Sequence, residues 1–452
     1  MRFAELEHAD VAVWGYGREG CAALAALRAR APGKPLTLYC LPAEAADARA
    51  AFVGGVTVID VPPDADALAR HGVVVKSPGI SAYRPEIAAA AARGTRFTSG
   101  TALWFGERPD ARVIAVTGTK GKSTTTALIA HLARSLGVRT ALAGNIGMPL
   151  LELLEAQAAL WVVELSSFQT REAGPLELGV VTSLYEEHLD WHGSRERYVA
   201  DKLALADAAR TLLVNAAQPR LLELTAAHPR RRTFGDADGW HVAGGAIRRA
   251  AEAVLPLAEL PLPGAHNAAN ACAALAALEL LDLDARAAAP ALRSFRALPH
   301  RLQRLGERDG IAWINDSIST TPQAALAALQ SLEGRAVTLI VGGHDRGLDW
   351  SEFVARMRER PPLALICQGA SGARIADELE RAGVAVAARC ADLADAVAQA
   401  HALTPPGGCV LLSPGAPSFD QFRDYAARGR RFAELAGFDG AAITGIEGLG
   451  VA

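Results

Sequence analysis

Lysine is scarce in this chain of 452 residues, which has 41 arginines but only five lysines: Lys34, Lys76, Lys120, Lys122 and Lys202. Arginine therefore supplies the ordinary surface cations. The few lysines are enriched at positions where arginine would not serve, because only an amine is a compact point charge that can also lose its proton and react. We expect functional residues among these five.

Other absences exclude whole classes of protein. The chain has no apolar run of 18 residues and no basic region followed by an apolar one at its start, so we expect neither a membrane partner nor a signal peptide. Its six cysteines form no CxxC pair, which favours reduced thiols in the cytoplasm. A net charge of -3 gives no reason to expect nucleic acid as a partner. The expected ligand is a small molecule.

Apolar runs typical of strands alternate with Ala- and Leu-rich helical patterns through most of the chain. This alternation predicts an α/β fold whose parallel sheets are covered by helices. The chain is too long for a single core, and we predict three domains, at residues 1–105, 106–298 and 299–452. The glycine-rich tail from residue 437 has little to bury, so we expect it to be disordered.

The first motif is a G-x-G-x-x-G pattern, Gly15, Gly17 and Gly20, between a predicted strand and a predicted helix. Such a turn is typical of dinucleotide sites, which also place an acid at the end of the next strand for the ribose hydroxyls. Here that strand is LTLYC, and no acid appears before Glu44. The pattern favours a nucleotide diphosphate at the helix N-terminus over NAD, with tight strand–helix packing as the alternative.

A stronger signal is GTKGKST, residues 118–124, which follows the apolar run VIAVT. The amides of such a turn attract phosphate oxygens, Lys122 can reach the β- and γ-phosphates, and Ser123 can bind Mg²⁺. The common P-loop has glycine where this chain has Val116. Two of the five lysines lie in this one turn, which argues against a purely structural glycine loop. ATP and Mg²⁺ are the expected ligands.

Acidic residues and one lysine follow the next predicted strands. Glu164 ends LWVVE, the usual place for a carboxylate that holds the Mg²⁺ of a triphosphate. The run EEHLD, residues 186–190, is either a solvated loop or a second cation site that includes His188. Lys202 lies in a helical pattern and is either a solvated lysine or an amine that takes up CO₂ to become a carbamate, an anion that binds Mg²⁺.

The motifs occur in an order that resembles the Mur ligases of peptidoglycan synthesis. In chain order they are GTKGKST, GNIG, ELSSFQ, EEHLD, GAHNAANACAA, LPHRLQ, WINDS and LLSPGAPSFDQF. ELSSFQ and LLSPGAPSFDQF are similar to the MurD branch, which adds glutamate to UDP-N-acetylmuramoyl-L-alanine. The resemblance covers the chain up to the tail. It implies a Rossmann-like UDP-binding domain, a central P-loop ATPase-like domain and a Rossmann-like C-terminal domain.

The resemblance also implies an activity, ATP-dependent amide formation. In this family the γ-phosphoryl group of ATP activates a carboxylate of the nucleotide substrate, and the amine of the amino acid displaces phosphate from the acyl phosphate. Two anions must approach each other, which requires concentrated positive charge and in-line positioning. We expect a cytoplasmic monomer whose C-terminal domain closes over UDP-N-acetylmuramoyl-L-alanine, glutamate, ATP and Mg²⁺.

The resemblance implies catalytic roles for Lys122, Glu164, His188, Lys202 and Asn145. Lys122 would hold the β- and γ-phosphates. Ser123 and Glu164 would hold the first Mg²⁺, and His188 with a carbamylated Lys202 would hold the second, near the acyl phosphate.

The remaining assignments concern the three substrates. Asn145 would contact a substrate carbonyl, and the UDP contacts would be Gly15, Gly17 and Ser77. The ATP contacts would be Gly118, Thr119, Lys120, Gly121, Lys122, Ser123, Thr124, Asn267, Asn270, Arg301, Asn315 and Asp316. The glutamate contacts would be Thr320, Arg346, Ser418 and Tyr425.

The chain departs from the family pattern mainly around the amino acid. Lys120 stands where asparagine is common, and Ile318, Arg346 and Tyr425 stand where lysine, lysine and phenylalanine are usual. An isoleucine, a guanidinium and a phenol make a different amino-acid pocket. We therefore favour the variant of the branch that adds L-glutamate and depends on a separate epimerase over the ordinary D-glutamate enzyme.

Four other functions compete with this interpretation. A non-catalytic UDP-sugar binding protein would not need Lys122, Glu164, His188 and Lys202 together. An NAD-dependent oxidoreductase would use the N-terminal glycines but lacks the strand-end acid. A P-loop kinase or ATPase leaves the outer domains unexplained. Folylpolyglutamate synthase usually has GTNGKGS, whereas here Ser123 follows Lys122 directly.

Overall fold

The computed structural model describes residues 1–52, 54–185 and 189–452. By its internal contacts the chain forms two compact units. The first comprises Met1–Glu259, Ala269–Arg293 and Gly448–Ala452, and the second comprises Leu260–Ala268 and Ser294–Glu447. The predicted α/β class is confirmed, and each of the three predicted segments has a largely parallel sheet of its own. No described helix combines the length and the apolar character that a bilayer span requires.

The N-terminal segment of the first unit is built on a five-stranded parallel sheet. The strands are β1 (Val11–Trp14), β2 (Leu36–Tyr39), β3 (Val56–Ile59), β4 (Val73–Lys76) and β5 (Arg96–Thr98). The helices are α1 (Arg18–Arg30), α2 (Ala45–Ala51), α3 (Ala65–Leu68), α4 (Pro85–Ala92) and α5 (Gly100–Glu107). The strand order is β3-β2-β1-β4-β5, so the direction of winding reverses between β1 and β4. The loops that follow those two strands therefore line one crevice, the usual ligand position in such sheets.

The central segment of the first unit is a second parallel sheet. Its strands are β6 (Val113–Thr117), β7 (Thr140–Gly144), β8 (Leu160–Glu164), β9 (Leu176–Val181), β10 (Ala209–Asn215) and β11 (Arg231–Phe234), in the order β11-β10-β9-β6-β8-β7. Its helices are α6 (Lys122–Ser135), α7 (Leu189–His192), α8 (Arg195–Ala208) and α9 (Pro219–Leu224). The buried rings of Trp104 and Trp161 lie 4.7 Å apart, so α5 and β8 share one core.

Three further elements complete this region of the chain. An antiparallel sheet is formed by β12 (Trp240–Ala243), β13 (Ala246–Arg249) and β14 (Glu252–Pro256). Helix α10 (Ala265–Glu279) follows, and α11 (Ala285–Ala288) comes after it. The first turn of α10 belongs to the second unit and the remainder to the first.

The second unit has a six-stranded sheet that is parallel except at one edge. Its strands are β15 (Gln303–Arg308), β16 (Ile311–Asn315), β17 (Val337–Val341), β18 (Ala364–Gln368), β19 (Ala388–Cys390) and β20 (Cys409–Leu412), in the order β15-β16-β20-β17-β18-β19. Its helices are α12 (Pro322–Gln330), α13 (Ser351–Glu359), α14 (Gly372–Arg381), α15 (Leu393–Leu403) and α16 (Tyr425–Leu435). The parallel strands β16, β17, β18 and β20 are buried on both faces, as their continuous apolar runs predict.

The end of the tail is ordered, in place of the expected disorder. Strand β21 (Gly450–Val451) pairs antiparallel with β7, with Gly450 opposite Leu142 and Val451 opposite Ala141. The guanidinium of Arg134 donates to the carbonyl of Gly450 at 3.0 Å. Main-chain hydrogen bonding to the otherwise open edge of β7 orders this segment, although it has few apolar side chains to bury.

Candidate active site

The loop between β6 and α6 has the geometry of a phosphate-binding turn. Gly118 and Gly121 have φ angles of 150° and 86°. A Cβ at Gly118 would collide with Thr182 Oγ1, and a Cβ at Gly121 would lie 2.5 Å from Asn270 Oδ1. Only glycine fits these positions. Helix α6 begins at Lys122, so the amides of its first turn, which includes Ser123 and Thr124, suit phosphate oxygens.

Two of the predicted ATP contacts instead use their backbone amides to brace this loop. The amide of Thr119 donates to the carbonyl of Ser183 at 3.0 Å, and the amide of Lys120 donates to Ser183 Oγ at 2.8 Å. The hydroxyl of Thr119 lies 2.7 Å from that of Tyr198 on α8. Thr119 and Lys120 thus hold the turn against the segment after β9.

Glu164 is a buried carboxylate, and only one of its two oxygens has a hydrogen-bond partner among the described residues. It ends β8, opposite Val116 of β6 and Gly144 of β7, and its exposed fraction is 0%. Oε1 accepts a hydrogen bond from Asn145 Nδ2 at 2.8 Å, whereas Oε2 has no hydrogen-bond partner among the described residues. A buried oxygen without a donor is costly, and a cation would satisfy it. The residues present therefore fit Mg²⁺.

The donor set argues for a cation shared with a bound phosphate. Within the described part of the chain, no group of three or more His, Cys, Asp or Glu side chains could hold a metal ion. Mg²⁺ is commonly bound by one or two protein oxygens together with substrate phosphates and water. Glu164, with Ser123 in the first turn of α6, is such an incomplete donor set.

Asn145 lies in the turn after β7 that connects this region to the N-terminal segment. Its amide donates to the carbonyl of Glu164 at 2.9 Å, so its main chain and its side chain are both fixed by that residue. Two residues on, the carbonyl of Gly147 accepts from Arg18 Nη1 of α1 at 2.9 Å. The asparagine therefore lies between the P-loop side of the sheet and the N-terminal glycine turn.

The predicted UDP contacts meet at the crevice between β1 and β4. Gly15 has a φ of 102°, and a Cβ there would lie 2.6 Å from Ser77 Oγ. The amide of Ser77 donates to the carbonyl of Trp14 at 2.9 Å, which seats the loop after β4 against the glycine turn. Gly17 is the N-cap of α1, and a Cβ there would meet nothing within 4 Å. That open space leaves room for a ligand at the helix N-terminus.

Lys202 is buried, which rules out the solvated alternative for this lysine. Its side chain on α8 is 3% exposed, and Nζ lies 5.1 Å from the centroid of the Tyr198 ring. The hydroxyl of Tyr198 reaches the P-loop through Thr119. His188, the other predicted ligand of the second cation, lies outside the described residues, as do Glu186 and Glu187.

The sequence reasoning missed a buried chain of polar side chains beside Lys202. Ser167 Oγ lies 3.0 Å from His192 Nε2, and His192 Nδ1 lies 2.6 Å from Asp201 Oδ2. Burial lowers the pKa of His192, and the Asp201 carboxylate opposes that shift. Asp201 also accepts hydrogen bonds from Tyr83 and Arg171. Only proximity to the EEHLD motif could have drawn attention to His192.

In the second unit, two predicted ATP contacts end β16. The Asn315 side chain is fully buried and bonded inward, to His300 Nδ1 at 3.0 Å and to the amide of Ser317 at 3.1 Å. Asp316 accepts from Ser413 Oγ at 2.8 Å and from the amide of Leu302 at 3.1 Å, and burial raises its pKa to about 6. Both residues hold loops together at the carboxyl end of the sheet.

Arg301 lies in a strained turn. Its neighbours His300 and Leu302 have φ angles of 60° and 43°, a region that side chains other than glycine adopt rarely. Such strain persists only where the surroundings enforce it, and it is common at ligand sites. The turn sits next to Asp316, whose backbone hydrogen bond to Leu302 is one of the contacts that enforce it.

A buried arginine joins two loops near predicted glutamate contacts. Arg428 of α16 is 1% exposed and donates to carbonyls of Ser317, Ala416 and Pro417 at 2.9 to 3.1 Å. It thereby joins the loop after β16, which leads to the exposed Thr320, to the loop after β20, which carries the buried Ser418. Tyr425 begins α16 and is 39% exposed.

Arg346 projects from the loop after β17. Its guanidinium carbon lies 5.8 Å from the centroid of the Phe419 ring, next to Ser418 in the chain. Thr320, Arg346 and Ser418 thus lie on loops, and Tyr425 lies at the start of α16, at the same end of one sheet.

The two asparagines of α10 have different surroundings. Asn267 donates to the carbonyl of Pro263 at 2.7 Å within the second unit. Asn270 lies against Gly121 of the P-loop within the first unit.

Known proteins match the whole chain. The Mur ligase middle domain matches residues 116–278, and the Mur ligase, glutamate ligase domain matches residues 300–415. The UDP-N-acetylmuramoyl-L-alanine--L-glutamate ligase of Xanthomonas campestris pv. campestris strain 8004 is 53% identical over 100% of both chains. The ligase of the same name from Xylella fastidiosa strain Temecula1 is 51% identical over 100% of both chains. The one from Salinispora tropica is 40% identical over 96% of this chain and 98% of its own.

Solved structures of more distant proteins share the fold. The UDP-N-acetylmuramate-alanine ligase of Thermotoga maritima matches with a TM-score of 0.63 at 22% identity, covering 95% of this chain and 99% of that one. The MurF ligase of the same organism, in complex with ADP, matches with a TM-score of 0.56 at 15% identity, over 96% and 95%. By its whole-length relatives and its two matched domains, this chain belongs to the Mur ligase family.

Proposed function

We propose that this chain is an ATP-dependent ligase that joins glutamate to UDP-N-acetylmuramoyl-L-alanine in peptidoglycan precursor synthesis. The observation that carries the proposal is Glu164, a buried carboxylate whose Oε2 has no hydrogen-bond partner among the residues that the structure describes, beside the strand that leads into the P-loop. A pure nucleotide-sugar binding protein has no use for such a group. Support for the substrates comes from the names of relatives 40 to 53% identical to this chain.

The proposed reaction has two steps. A carboxylate oxygen of the nucleotide substrate attacks the γ-phosphorus of ATP, the bond to the β-phosphate oxygen breaks, and ADP leaves. The glutamate nitrogen then attacks the acyl carbon, the carbon–oxygen bond to phosphate breaks, and an amide forms with loss of a proton from the amine. The protein contributes mainly positioning and charge stabilisation.

The residues of the first unit have distinct roles in these steps. Lys122 and the first-turn amides of α6 hold the triphosphate. Glu164 and Ser123 hold Mg²⁺, which supplies charge neutralisation on the phosphate oxygens when bound. Asn145, held by Glu164 at 2.8 Å, contacts the substrate carbonyl. Lys202, as a carbamate, and His188 hold a second Mg²⁺. Gly15, Gly17 and Ser77 hold UDP.

The second unit supplies the amino-acid pocket and further ATP contacts. Thr320, Arg346, Ser418 and Tyr425 bind glutamate, while Arg301, Asp316 and Asn267 contact ATP. Asn270, which belongs to the first unit, is a further ATP contact. The buried Arg428 adds a positive charge to this region, and its guanidinium donates to neutral carbonyl and hydroxyl groups of Ser317, Ala416 and Pro417. That charge favours a substrate with two carboxylates.

We further propose L-glutamate as the acceptor. The unusual residues Ile318, Arg346 and Tyr425 all lie in the segments that carry the glutamate contacts, and the relatives named above carry L-glutamate in their names. A cell that uses this enzyme needs an epimerase to invert the added residue. The enzyme acts as a cytoplasmic monomer.

The experiment that tests the proposal is ADP release by the purified protein. The reaction contains ATP, Mg²⁺ and UDP-N-acetylmuramoyl-L-alanine, and L-glutamate is compared with D-glutamate. Turnover that requires both the nucleotide substrate and glutamate is expected. ADP release that is independent of either one would overturn the ligase assignment.

A further inference from the structure

The loop after β4, which carries Ser77, is attached to α7 through Trp191. The indole Nε1 of Trp191 donates to the carbonyl of Pro78 at 3.0 Å, and Ser81 Oγ donates to the carbonyl of Trp191 at 2.6 Å. The ring of Tyr83 meets the indole edge-on, with 5.8 Å between centroids. Lys76 Nζ lies 5.8 Å from the indole centroid. These contacts dock α7 directly on the loop proposed to hold UDP.

A second set of contacts ties α7 to α8. His192 of α7 and Asp201 of α8 are 0% and 1% exposed, and their side chains lie 2.6 Å apart. The hydroxyl of Tyr83 donates to the other oxygen of Asp201 at 2.7 Å. One carboxylate thus joins the nucleotide loop, α7 and α8. We name the four residues Tyr83, Trp191, His192 and Asp201 the clasp.

His192 and Asp201 of the clasp form a Ser-His-Asp series with Ser167, but the surroundings of this series do not suit nucleophilic catalysis. Ser167, which lies 3.0 Å from His192 Nε2, is 4% exposed. Its neighbours Phe168 and Trp191 are stacked, with 4.6 Å between ring centroids. A nucleophile must reach its substrate. The buried series instead fixes the relative positions of the three segments that it joins.

The residue after Asp201 on α8 is Lys202, whose side chain is itself buried. Asp201 is held at both carboxylate oxygens, and its carbonyl accepts from Thr170 Oγ1 at 2.6 Å. The main chain that carries Lys202 is therefore fixed at the neighbouring residue. Tyr83 therefore connects the nucleotide loop directly to this point.

We propose that Tyr83, Trp191, His192 and Asp201 are positioning residues that couple occupation of the nucleotide loop to the placement of Lys202. This inference rests on the proposed function, in which Lys202 helps to hold the second Mg²⁺. Nucleotide-substrate binding then strengthens cation binding, and by thermodynamic linkage the cation strengthens substrate binding by the same factor.

The test compares cation affinity with and without the nucleotide substrate. Mn²⁺ binding is measured by electron paramagnetic resonance on the full chain with a non-hydrolysable ATP analogue, in the absence and presence of UDP-N-acetylmuramoyl-L-alanine. Tyr83→Phe removes one hydroxyl from a side chain that is 38% exposed, and Trp191→Phe removes the indole donor, so both variants should fold. Matched controls are Tyr39→Phe, which loses a bond to His71, and Trp240→Phe, which loses a bond to Glu279.

The wild type and both controls are expected to bind Mn²⁺ more tightly when the nucleotide substrate is present. In Tyr83→Phe and Trp191→Phe this enhancement should fall about five-fold, the effect of one lost hydrogen bond. A purely structural role would lower the melting temperature and leave the enhancement unchanged. Equal enhancement in the clasp variants and the controls, or none in the wild type, would overturn the proposal.

Failure of the clasp and failure of the ligase assignment give different results. Glutamate-dependent ADP release by the wild type, together with unchanged enhancement in the clasp variants, overturns the clasp alone. Loss of enhancement in the variants of a protein that releases no ADP with either glutamate supports the clasp and overturns the ligase assignment.

Discussion

The side-chain amide of Asn145 donates to Oε1 of Glu164 at 2.8 Å and leaves Oε2 of the same buried carboxylate without a hydrogen-bond partner in the described part of the chain. The pair joins the end of β8 to the turn after β7. An asparagine donor and a single cation would together satisfy both oxygens. This relationship makes Glu164 the residue on which cation binding should depend most strongly.

Replacing Glu164 with glutamine should lower Mg²⁺-dependent turnover by about 10² to 10⁴-fold, since charge stabilisation is a major part of catalysis at such sites. The measurement is ADP release as a function of Mg²⁺ concentration. Glu177→Gln is the control, because Glu177 lies on β9 of the same sheet and pairs with Arg112 at the surface. Equal turnover in the two variants would remove Glu164 from the cation site.

Lys202→Ala should lose most activity, because alanine cannot form the carbamate that binds the second cation. Small carboxylic acids such as acetate should restore part of it by occupying the vacated place. The measurement is turnover with increasing acetate, and Lys34→Ala, which changes an exposed contact to the carbonyl of Glu7, is the control. Full activity of Lys202→Ala without acetate would rule out the carbamate.

Arg346→Lys and Tyr425→Phe should change the binding of the amino acid, because Arg346 on the loop after β17 and Tyr425 at the start of α16 are both proposed glutamate contacts. We expect a higher KM for L-glutamate and a smaller preference between the enantiomers, with the KM for ATP unchanged. Arg358→Lys, on the exposed side of α13, should leave all three parameters as they are. An effect confined to the KM for ATP would place these residues outside the amino-acid pocket.

Glu19 should make stability depend on pH. Burial, reinforced by the nearby Glu172, raises the pKa of Glu19 from 4.5 to about 7. Between those values the folded protein binds the proton and the unfolded chain releases it, so the free energy of unfolding falls as pH rises. Glu19→Gln should remove that fall and gain up to about 3 kcal/mol over the wild type by pH 8.

Thermal and urea unfolding between pH 4.5 and 8 measure this difference. The exposed Glu7→Gln variant should follow the wild type throughout. A constant offset between Glu19→Gln and the wild type over the whole range would contradict the raised pKa.

The sequence alone predicts the structure of the site where the residues of a motif are contiguous in the chain. The strand, the glycine turn and the helix around Lys122 follow from contiguous residues, and Glu164 follows from its place at the end of an apolar run. The pairing of His192 with Asp201 depends on how α7 and α8 pack, which no spacing along the chain reveals. Arg428 was missed for a related reason: an arginine in a polar helical segment is typical of the surface, yet the structure buries it beneath three carbonyls.

The ordered tail shows a different limit. Hydrophobic content underestimates how ordered a segment such as Gly450–Val451 is, because its order comes from main-chain hydrogen bonds to β7 and from a hydrogen bond with Arg134. The helical pattern around Lys202 likewise does not predict whether its side chain is buried, because the segments that cover it lie elsewhere in the chain.

The most direct test of the central claim is the rate of ADP release with ATP, Mg²⁺ and UDP-N-acetylmuramoyl-L-alanine, measured side by side for L-glutamate and D-glutamate. We predict turnover with glutamate and a higher kcat/KM for the L-enantiomer. Preference for D-glutamate would contradict the assigned acceptor, and the absence of turnover with both enantiomers would contradict the ligase assignment itself.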